Sequence, residues 1–263
     1  MFLQGKRILF FSAHLFGYQN DIRLAMESVG AIVDYYDERP ANNFLVKGVI
    51  RINRNLLAGY INHYYNKIIK ETLQKEYDYV FFIKGESISA SNVRRLKQFH
   101  PEANFIIYHW DSIANNSNAQ NLLPYFDRVF SFDKIDCERL GLHFLPLFYT
   151  PDYANIPYYD KEIKYDMLFV GTTHSDRYKL VKRIEEQIIK MGGLCLTWFY
   201  FPSKILYYKM KIQNSYLRQI PVHTFHFKPM SKELLLQLYA GSRIIIDVQH
   251  PKQTGLTMRC IET

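Results

Sequence analysis

The stretch RIIIDVQHPKQTGLTMRCIET, residues 243–263, combines an apolar run, a polar loop and a helical pattern. Residues 244–248 predict a buried strand of a parallel sheet, and the helical pattern begins near Thr254 or Leu256. The turn between such a strand and the next helix is a common anion site. Free backbone N–H groups and the positive end of the helix dipole both point there. The stretch therefore predicts an α/β fold with an anion-binding loop.

Two charged residues of this stretch, Arg259 and Glu262, are spaced i, i+3 and so share one face of the predicted helix. An arginine there can neutralise a phosphate, and a glutamate can accept hydrogen bonds from a sugar diol. An ordinary surface ion pair is the alternative interpretation.

Strand and helix patterns alternate along the whole chain, which predicts βαβ units and parallel sheets. Residues 1–150 predict one Rossmann-like domain, residues 151–164 a linker rich in Pro, Tyr and charge, and residues 165–263 a second Rossmann-like domain. The second domain has four predicted strands where a doubly wound sheet typically has five or six. We therefore expect it to be truncated. The predicted strands are residues 8–11, 31–36, 79–83, 104–108, 128–132, 144–147, 165–170, 194–201, 222–227 and 244–248.

The amino-acid composition indicates the cellular compartment of the protein and the charge of its binding partners. The chain has 263 residues, a formal net charge of +8 and three cysteines without metal-ligand spacing or a pairing pattern. This cysteine usage fits a reducing cytosol. No signal-peptide pattern and no apolar run of membrane-spanning length occurs. We expect a cytoplasmic protein with anionic partners, peripheral to the inner face of the cytoplasmic membrane if it meets a membrane at all.

Polar residues follow the predicted strands of the first domain, where open α/β sheets bind ligands. His14, Glu86 and Asp111 are the candidate catalytic residues, because a base could activate an acceptor hydroxyl there. Each has a structural alternative. His14 could cap the next helix, Asp111 could be an N-cap, and Glu86 could form a local ion pair with Lys84.

The corresponding positions of the second domain predict a site for a nucleotide diphosphate. Helix N-termini and basic side chains can stabilise the charge of a leaving diphosphate without a metal ion. Arg177 could instead be a solvated residue in the first turn of its helix. The candidate donor-binding residues are Gly171, Thr172, Arg177, Lys228, Lys252, Thr254, Gly255, Arg259 and Glu262.

Several common motifs are absent from the sequence. No G-x-G-x-x-G follows the first strand and no G-x-x-x-x-G-K-[ST] occurs, which disfavours dinucleotide dehydrogenases and P-loop NTPases. No D-x-D lies at a strand end, and no His/Asp cluster has metal spacing. We therefore expect a site without a metal and without a cofactor.

Two acid-free stretches combine basic and aromatic residues, from Lys47 to Lys70 and from Lys204 to Arg218. Each is a candidate contact with an anionic membrane surface. A solvated basic helix face with tyrosines packed beneath it is the alternative. No nucleic-acid recognition module is visible, so nucleic acid is not among the expected partners.

Three segments together resemble bacterial GT-B glycosyltransferases. They are Phe169-Val170-Gly171-Thr172, Tyr108-His109-Trp110-Asp111-Ser112, and Gln253-Thr254-Gly255-Leu256-Thr257-Met258-Arg259 with Glu262. The chain is most similar to the CgeB-like group and to related enzymes of lipopolysaccharide, capsule and exopolysaccharide synthesis. The similarity covers essentially the whole chain.

This resemblance implies a glycosyltransferase whose C-terminal domain binds the nucleotide sugar and whose N-terminal domain binds a saccharide or lipid-linked acceptor. It implies Glu262 near the donor ribose, Arg259 near the diphosphate and His14 near the sugar. The loop holding His14 lacks the glycine-rich form of the family, and the chain ends before a further Gly-rich turn, strand and closing helices. Two alternatives stay open: a sugar-nucleotide 2-epimerase of the same fold, and a non-catalytic, truncated glycosyltransferase-like protein.

Overall fold

A computed structural model describes residues 2–116, 118–157, 162–173, 176–250 and 253–263. The chain divides into two compact units. Unit 1 comprises Met1–Leu147 and Lys252–Leu256, and unit 2 comprises Phe148–Pro251 and Thr257–Thr263. Each unit contains its own parallel sheet.

The sheet of unit 1 has six parallel strands in the order β2-β1-β3-β4-β5-β6. Its strands are β1 (Arg7–Phe11), β2 (Ile32–Tyr36), β3 (Tyr79–Ile83), β4 (Asn104–His109), β5 (Arg128–Ser131) and β6 (His143–Phe144). Its helices are α1 (Tyr18–Ser28), α2 (Phe44–Asn53), α3 (Ala58–Thr72), α4 (Ala90–Phe99), α5 (Ala119–Leu122) and α6 (Lys134–Leu140).

Aromatic and aliphatic runs place the central strands of unit 1 in the core. Phe11 of β1 and Phe82 of β3 stack with ring centroids 4.3 Å apart, and both are completely buried. Tyr65, Ile68 and Ile69 of α3 have i, i+3, i+4 spacing and cover the same core. Because β1 pairs with β2 on one side and β3 on the other, the strand order reverses there. Ligands of open α/β sheets bind at such a reversal, at the carboxyl ends of the strands.

The sheet of unit 2 has four parallel strands in the order β10-β7-β8-β9. Its strands are β7 (Tyr165–Thr172), β8 (Cys195–Tyr200), β9 (Phe225–His226) and β10 (Ser242–Ile245). Its helices are α7 (Pro151–Ala154), α8 (Arg177–Lys190), α9 (Lys204–Gln213), α10 (Ser215–Arg218), α11 (Lys232–Ala240) and α12 (Met258–Glu262).

Strand β7 is buried on both faces of the sheet of unit 2. Met167 and Phe169 belong to one hydrophobic cluster, whereas Leu168 and Val170 belong to another on the opposite face. This alternation follows from the two-residue repeat of a strand. The strand order reverses between β7 and β10, so their carboxyl ends form the corresponding reversal point of unit 2.

The predicted α/β class with two parallel sheets is confirmed, but several predicted bounds are wrong. The last strand is Ser242–Ile245 and not 244–248. It lies at the sheet edge, and Ile244 is 45% exposed. The last helix starts at Met258, later than predicted, because residues 253–256 form a loop against unit 1. The predicted strand 222–227 shrinks to Phe225–His226 after a 3-10 turn.

Residues 151–164, predicted as a linker, include the short helix α7, while residues 158–161 lie outside the described part. Tyr153 and Ile156 pack with Leu168 and Tyr239 in a core cluster of unit 2. The beginning of this stretch therefore contributes to the core of unit 2. In the described ranges, no helix is both long enough and apolar enough to cross a bilayer.

Candidate functional site

A sharp turn after β3 shapes the candidate site of unit 1. Lys84 and Gly85 both have left-handed backbones, with φ of 73° and 62°. A Cβ on Gly85 would lie 2.9 Å from the terminal methyl groups of Ile107 and Leu122, so a larger residue at this positive φ would be strained. Asn116 Nδ2 donates to the Lys84 carbonyl at 3.0 Å, which helps to hold this strained turn.

Two ion pairs flank the turn. Lys84 pairs with Asp111, which follows β4. Arg39, which follows β2, donates from Nε to the Glu86 carboxylate at 3.0 Å and also pairs with it through Nη2. Glu86 thus pairs with Arg39, not with Lys84 as the local ion-pair alternative would have it. Asp111 is no helix cap either, since Ser112 occupies the N-cap position of the following 3-10 turn.

Glu38 lies beneath these ion pairs and is completely buried. Its Oε2 accepts the Glu86 backbone N–H at 3.1 Å, and its Oε1 has no hydrogen-bond partner in the described ranges. Burial, with the Glu86 charge adding to it, raises the pKa of Glu38 from 4.5 to about 8, although Arg39 and Lys84 oppose this. Glu38 therefore retains its proton at neutral pH.

His109, the last residue of β4, is the second buried titratable group of this cluster. Its pKa falls from 6.5 to about 4 because burial disfavours the charged imidazole; the Asp111 charge opposes this shift and the Lys84 charge adds to it. The imidazole is therefore neutral at pH 7. Its Nε2 is buried and has no hydrogen-bond partner among the described residues.

These groups open onto a polar pocket at the carboxyl edge of the sheet. The pocket is small, with a cavity volume of about 20 Å³, and is lined by Lys84, Glu86, His109, Asp111, Asn115 and Asn116. Carboxylates and amides of this kind bind hydroxyl groups, and a carboxylate can accept a proton from one. We call these six residues together with Glu38 and Arg39 the unit 1 cluster.

His14, the third predicted catalytic residue, lies in the loop after β1 and outside the pocket lining. Its Nδ1 is 3.0 Å from Gln19 Nε2, and its Nε2 is 3.7 Å from the Asp37 carboxylate. It does not cap α1, whose N-cap position is Gly17. Its partner Asp37 precedes Glu38 in sequence, and the imidazole is largely exposed.

In unit 2, two arginines meet at the reversal point between β7 and β10. Arg177 donates from Nη1 to the Thr172 carbonyl at 3.0 Å and from Nη2 to the Val248 carbonyl. It thus joins the segment after β10 to the end of β7. Arg177 is therefore not the solvated first-turn residue that the alternative interpretation describes.

Arg259 of α12 is tied into the same region. Its Nε donates to the Tyr239 hydroxyl at 3.2 Å, its Nη1 to Asp247 at 3.3 Å, and its Nη2 to the Val170 carbonyl. We call Arg177 and Arg259 the arginine pair. A guanidinium carries five N–H donors, so each arginine keeps donors beyond these contacts.

The arginine pair concentrates positive charge in a buried place. Burial lowers the pKa of Arg177 from 12.5 to about 10, with the nearby Arg259 charge adding to this and Asp247 opposing it. Burial also acts to lower the pKa of Arg259, but Tyr239, Asp247 and Glu262 together raise it. Glu262, predicted to contact a ribose, is buried beside Arg259.

The other predicted donor-binding residues are dispersed. Gly171 lies in β7, where a Cβ would come within 3.4 Å of Arg177 Nη1, and Thr172 ends that strand. Lys228 is exposed after β9. Lys252 lies outside the described residues.

Thr254 and Gly255 belong to unit 1, whereas the arginine pair belongs to unit 2. Thr254 donates its N–H and its hydroxyl to the Asp133 carboxylate, at 2.9 and 2.6 Å. A Cβ on Gly255 would lie 2.5 Å from Phe132 Cδ2. Both residues are thus engaged in packing.

Sequence reasoning did not single out Glu38, Arg39 and Asp247 as site residues. All three follow strands, so the strand-end pattern that identified Glu86 and Asp111 also applies to them. Their pairing with Glu86 and Arg259 required the tertiary structure. Among the described residues, no group of three or more His, Cys, Asp or Glu is placed to hold a metal ion.

No protein-family model matches the chain, and no curated protein matches it. A crystal structure of a proposed transcriptional regulator from Clostridium difficile 630 is similar at 11% identity and a TM-score of 0.34, over 82% of this chain. The chain spans 57% of the length of that protein. Likeness at this level carries no inference about function.

Proposed function

We propose that the protein is a GT-B glycosyltransferase. It transfers a sugar from a nucleotide diphosphate sugar to a saccharide or lipid-linked acceptor without a metal ion. The acceptor side is assigned to unit 1 and the donor side to unit 2. The observation that carries the proposal is the polar pocket of unit 1, which Glu86 and Asp111 line together with Lys84 and His109.

The pocket fits an acceptor hydroxyl better than an apolar ligand. Its lining includes two carboxylates and two asparagine amides, which can exchange hydrogen bonds with neighbouring hydroxyls. Asp111 is partly exposed and held by Lys84, so it is the better placed of the two carboxylates to take the hydroxyl proton. Neutral His109 supplies a nitrogen without adding charge. Carboxylate bases in such positions typically contribute about 10²–10⁴ to the rate.

The arginine pair supports the donor assignment. A leaving nucleoside diphosphate carries negative charge that must be stabilised, and two guanidiniums fixed by backbone carbonyls can do so with little rearrangement. Their remaining N–H donors and the low-dielectric surroundings favour a bound anion. Glu262, buried beside Arg259, offers a carboxylate for the ribose hydroxyls.

Substitution of the pocket carboxylate tests the acceptor assignment. A panel of nucleotide sugars and saccharide acceptors is first screened for transfer. With an active pair, Asp111→Asn should lower kcat by about 10²-fold or more and leave the KM for the donor within a factor of about two. Asp78→Asn is the matched control, because Asp78 also pairs with a lysine, Lys6, but precedes β3 at the opposite edge of the sheet.

Equal activity of Asp111→Asn and Asp78→Asn would contradict the acceptor assignment, as would transfer that survives Glu86→Gln and Asp111→Asn combined. Conversion of the donor alone into an epimer would instead identify a sugar-nucleotide epimerase. Absence of stabilisation by every nucleotide sugar and of any transfer would contradict the proposed function as a whole.

The donor assignment is tested with Glu262→Gln, which keeps the size of the side chain and removes its charge. We expect the affinity for the nucleotide sugar, measured calorimetrically, to fall about tenfold, since a charged hydrogen bond to a sugar hydroxyl contributes roughly 1.5 kcal/mol. An unchanged affinity of Glu262→Gln for the nucleotide sugar would contradict the assignment of Glu262 to the ribose. Arg259→Ala is a weaker test of binding, because Arg259 also holds Tyr239, Asp247 and Val170 in place.

A further inference from the structure

Helix α9 of unit 2 has an inner face that packs on the core. Tyr207 is completely buried, and Leu206 and Met210 pack against the same hydrophobic cluster. The Ser203 hydroxyl caps the helix by accepting the Leu206 N–H at 3.1 Å. The helix is therefore anchored on unit 2 by these inner residues.

The outer face of α9 is also apolar. Ile205, Tyr208 and Ile212 are 67%, 54% and 71% exposed, and their i, i+3, i+7 spacing places them on one side of the helix. A solvated outer face would ordinarily carry polar residues at these positions. Substituting them should cost little folding stability, because they contribute little to the core.

Lysines flank this apolar stripe on both sides. At about 100° per residue, Lys209 falls on one side of it, and Lys204 and Lys211 fall on the other. Arg218 of α10 adds a further cation, since its guanidinium donates to the carbonyls of Lys211, at 3.2 Å, and Ile212. An apolar stripe with basic side chains on both sides is the arrangement of helices that lie in a membrane interface.

The sequence around this helix contains basic residues but no acidic ones over a long stretch. Between Glu186 and Glu233 the sequence has no Asp or Glu. Within this stretch lie the four basic residues of α9 and α10, Lys204, Lys209, Lys211 and Arg218. No carboxylate of this stretch can neutralise them, so an external anion is the natural partner.

We infer that α9 docks unit 2 on the surface of an anionic phospholipid membrane through Ile205, Tyr208 and Ile212. The boundary between headgroups and acyl chains offers phosphates for the lysines and an apolar layer for the isoleucines. Nucleic acid would satisfy the lysines but offers the isoleucines no buried environment. A second copy of the chain would bring two basic surfaces together. Charge complementarity therefore favours the lipid surface.

Vesicle flotation tests this inference without nucleotide sugar or acceptor, so its failure would leave the transfer proposal untouched. The wild-type chain should float with vesicles of phosphatidylcholine mixed with phosphatidylglycerol and stay behind with pure phosphatidylcholine. Ile205→Gln with Ile212→Gln should lower the partition coefficient about tenfold or more, since two buried side chains are lost. Lys204→Gln with Lys209→Gln should lower it about fivefold per lysine.

The matched control is Ile189→Gln with Lys190→Gln at the end of α8, which removes an exposed isoleucine and a lysine of the same unit. It should bind vesicles like the wild type. Binding that depends on the lysines but not on the isoleucines would overturn the inference, because it would indicate attraction by charge alone. Three other results would also overturn it: absence of flotation, binding to an oligonucleotide that competes with the vesicles, and self-association that the isoleucine substitutions abolish.

Discussion

At the scale of single residues, the buried carboxyl of Glu38 makes the stability of unit 1 depend on pH. Its pKa in the folded chain is about 8, against an ordinary 4.5, so the unfolded chain loses the proton first as pH rises. The free energy of unfolding should therefore fall between about pH 4.5 and pH 8, by about 1.4 kcal/mol per pKa unit at most. Neighbouring charges share this titration, so a total on the order of a few kcal/mol is expected.

Glu38→Gln should remove this part of the pH dependence, since it imitates the protonated acid. Urea unfolding of both proteins at several pH values measures the effect. Glu102→Gln, at an exposed position of the same unit, serves as the control and should follow the wild type. If the unfolding free energy of Glu38→Gln changed with pH as much as that of the wild type, the assignment of this pH dependence to Glu38 would be refuted.

Arg259 illustrates how one side chain serves both packing and charge. Arg259→Ala removes hydrogen bonds to Tyr239, Asp247 and Val170 and leaves partners buried and unpaired. We expect unit 2 to lose about 3 kcal/mol of unfolding free energy, measured in urea. Arg243→Ala breaks the exposed pair with Asp166 and should cost less than about 1 kcal/mol. Similar losses in the two variants would contradict the structural role given to Arg259.

At the scale of elements, the loop that precedes α12 is packed closely on unit 1. Gly255→Ala should destabilise the chain by about 1–3 kcal/mol, because the new Cβ would lie 2.5 Å from the Phe132 ring and 2.6 Å from its carbonyl oxygen. Gly48→Ala in α2 has no atom within 4 Å of the new Cβ and should stabilise the helix by about 0.5–1 kcal/mol. Thermal unfolding measures whether each substitution stabilises or destabilises the chain. A stabilising Gly255→Ala would contradict the close packing of this loop on Phe132.

The elements also show what periodicity can and cannot predict. The runs around Phe11 and Phe82 identified strands correctly, because a strand buried on both faces has a continuous apolar run. The bounds of strands at the sheet edge were predicted less accurately. The predicted strand extended to Val248, but β10 ends at Ile245, and the charged Asp247 pairs with Arg259. The neighbouring strand β7 continues to Thr172, past Leu168, the partner of Ile245, so its length does not end β10. The tertiary partner of Asp247 is information that the local sequence does not contain.

At the scale of the whole molecule, the proposed transfer reaction should not need a divalent cation. The sequence has no D-x-D at a strand end, and the arginine pair is assigned the charge of the leaving diphosphate. Transfer measured with EDTA should therefore match transfer without it. Nucleotide sugar at about 100 times its Kd should stabilise the chain by about 2.7 kcal/mol in either condition. Loss of activity on chelation, restored by Mg²⁺ or Mn²⁺, would argue against the metal-independent mechanism.

The sequence by itself determined the α/β class, the parallel strands and the strand-end positions of Glu86, Asp111 and Arg177. Hydrophobic periodicity and the polar residues that follow each strand are local properties of the sequence. Only the tertiary structure decided which charges meet. Arg39 reaches Glu86 across 47 positions, and Arg177 reaches the Val248 carbonyl across 71. Such pairings follow from strand order, and strand order follows from how the core packs. For this reason the site residues were partly predictable, whereas their partners and the pKa values of Glu38 and His109 were not.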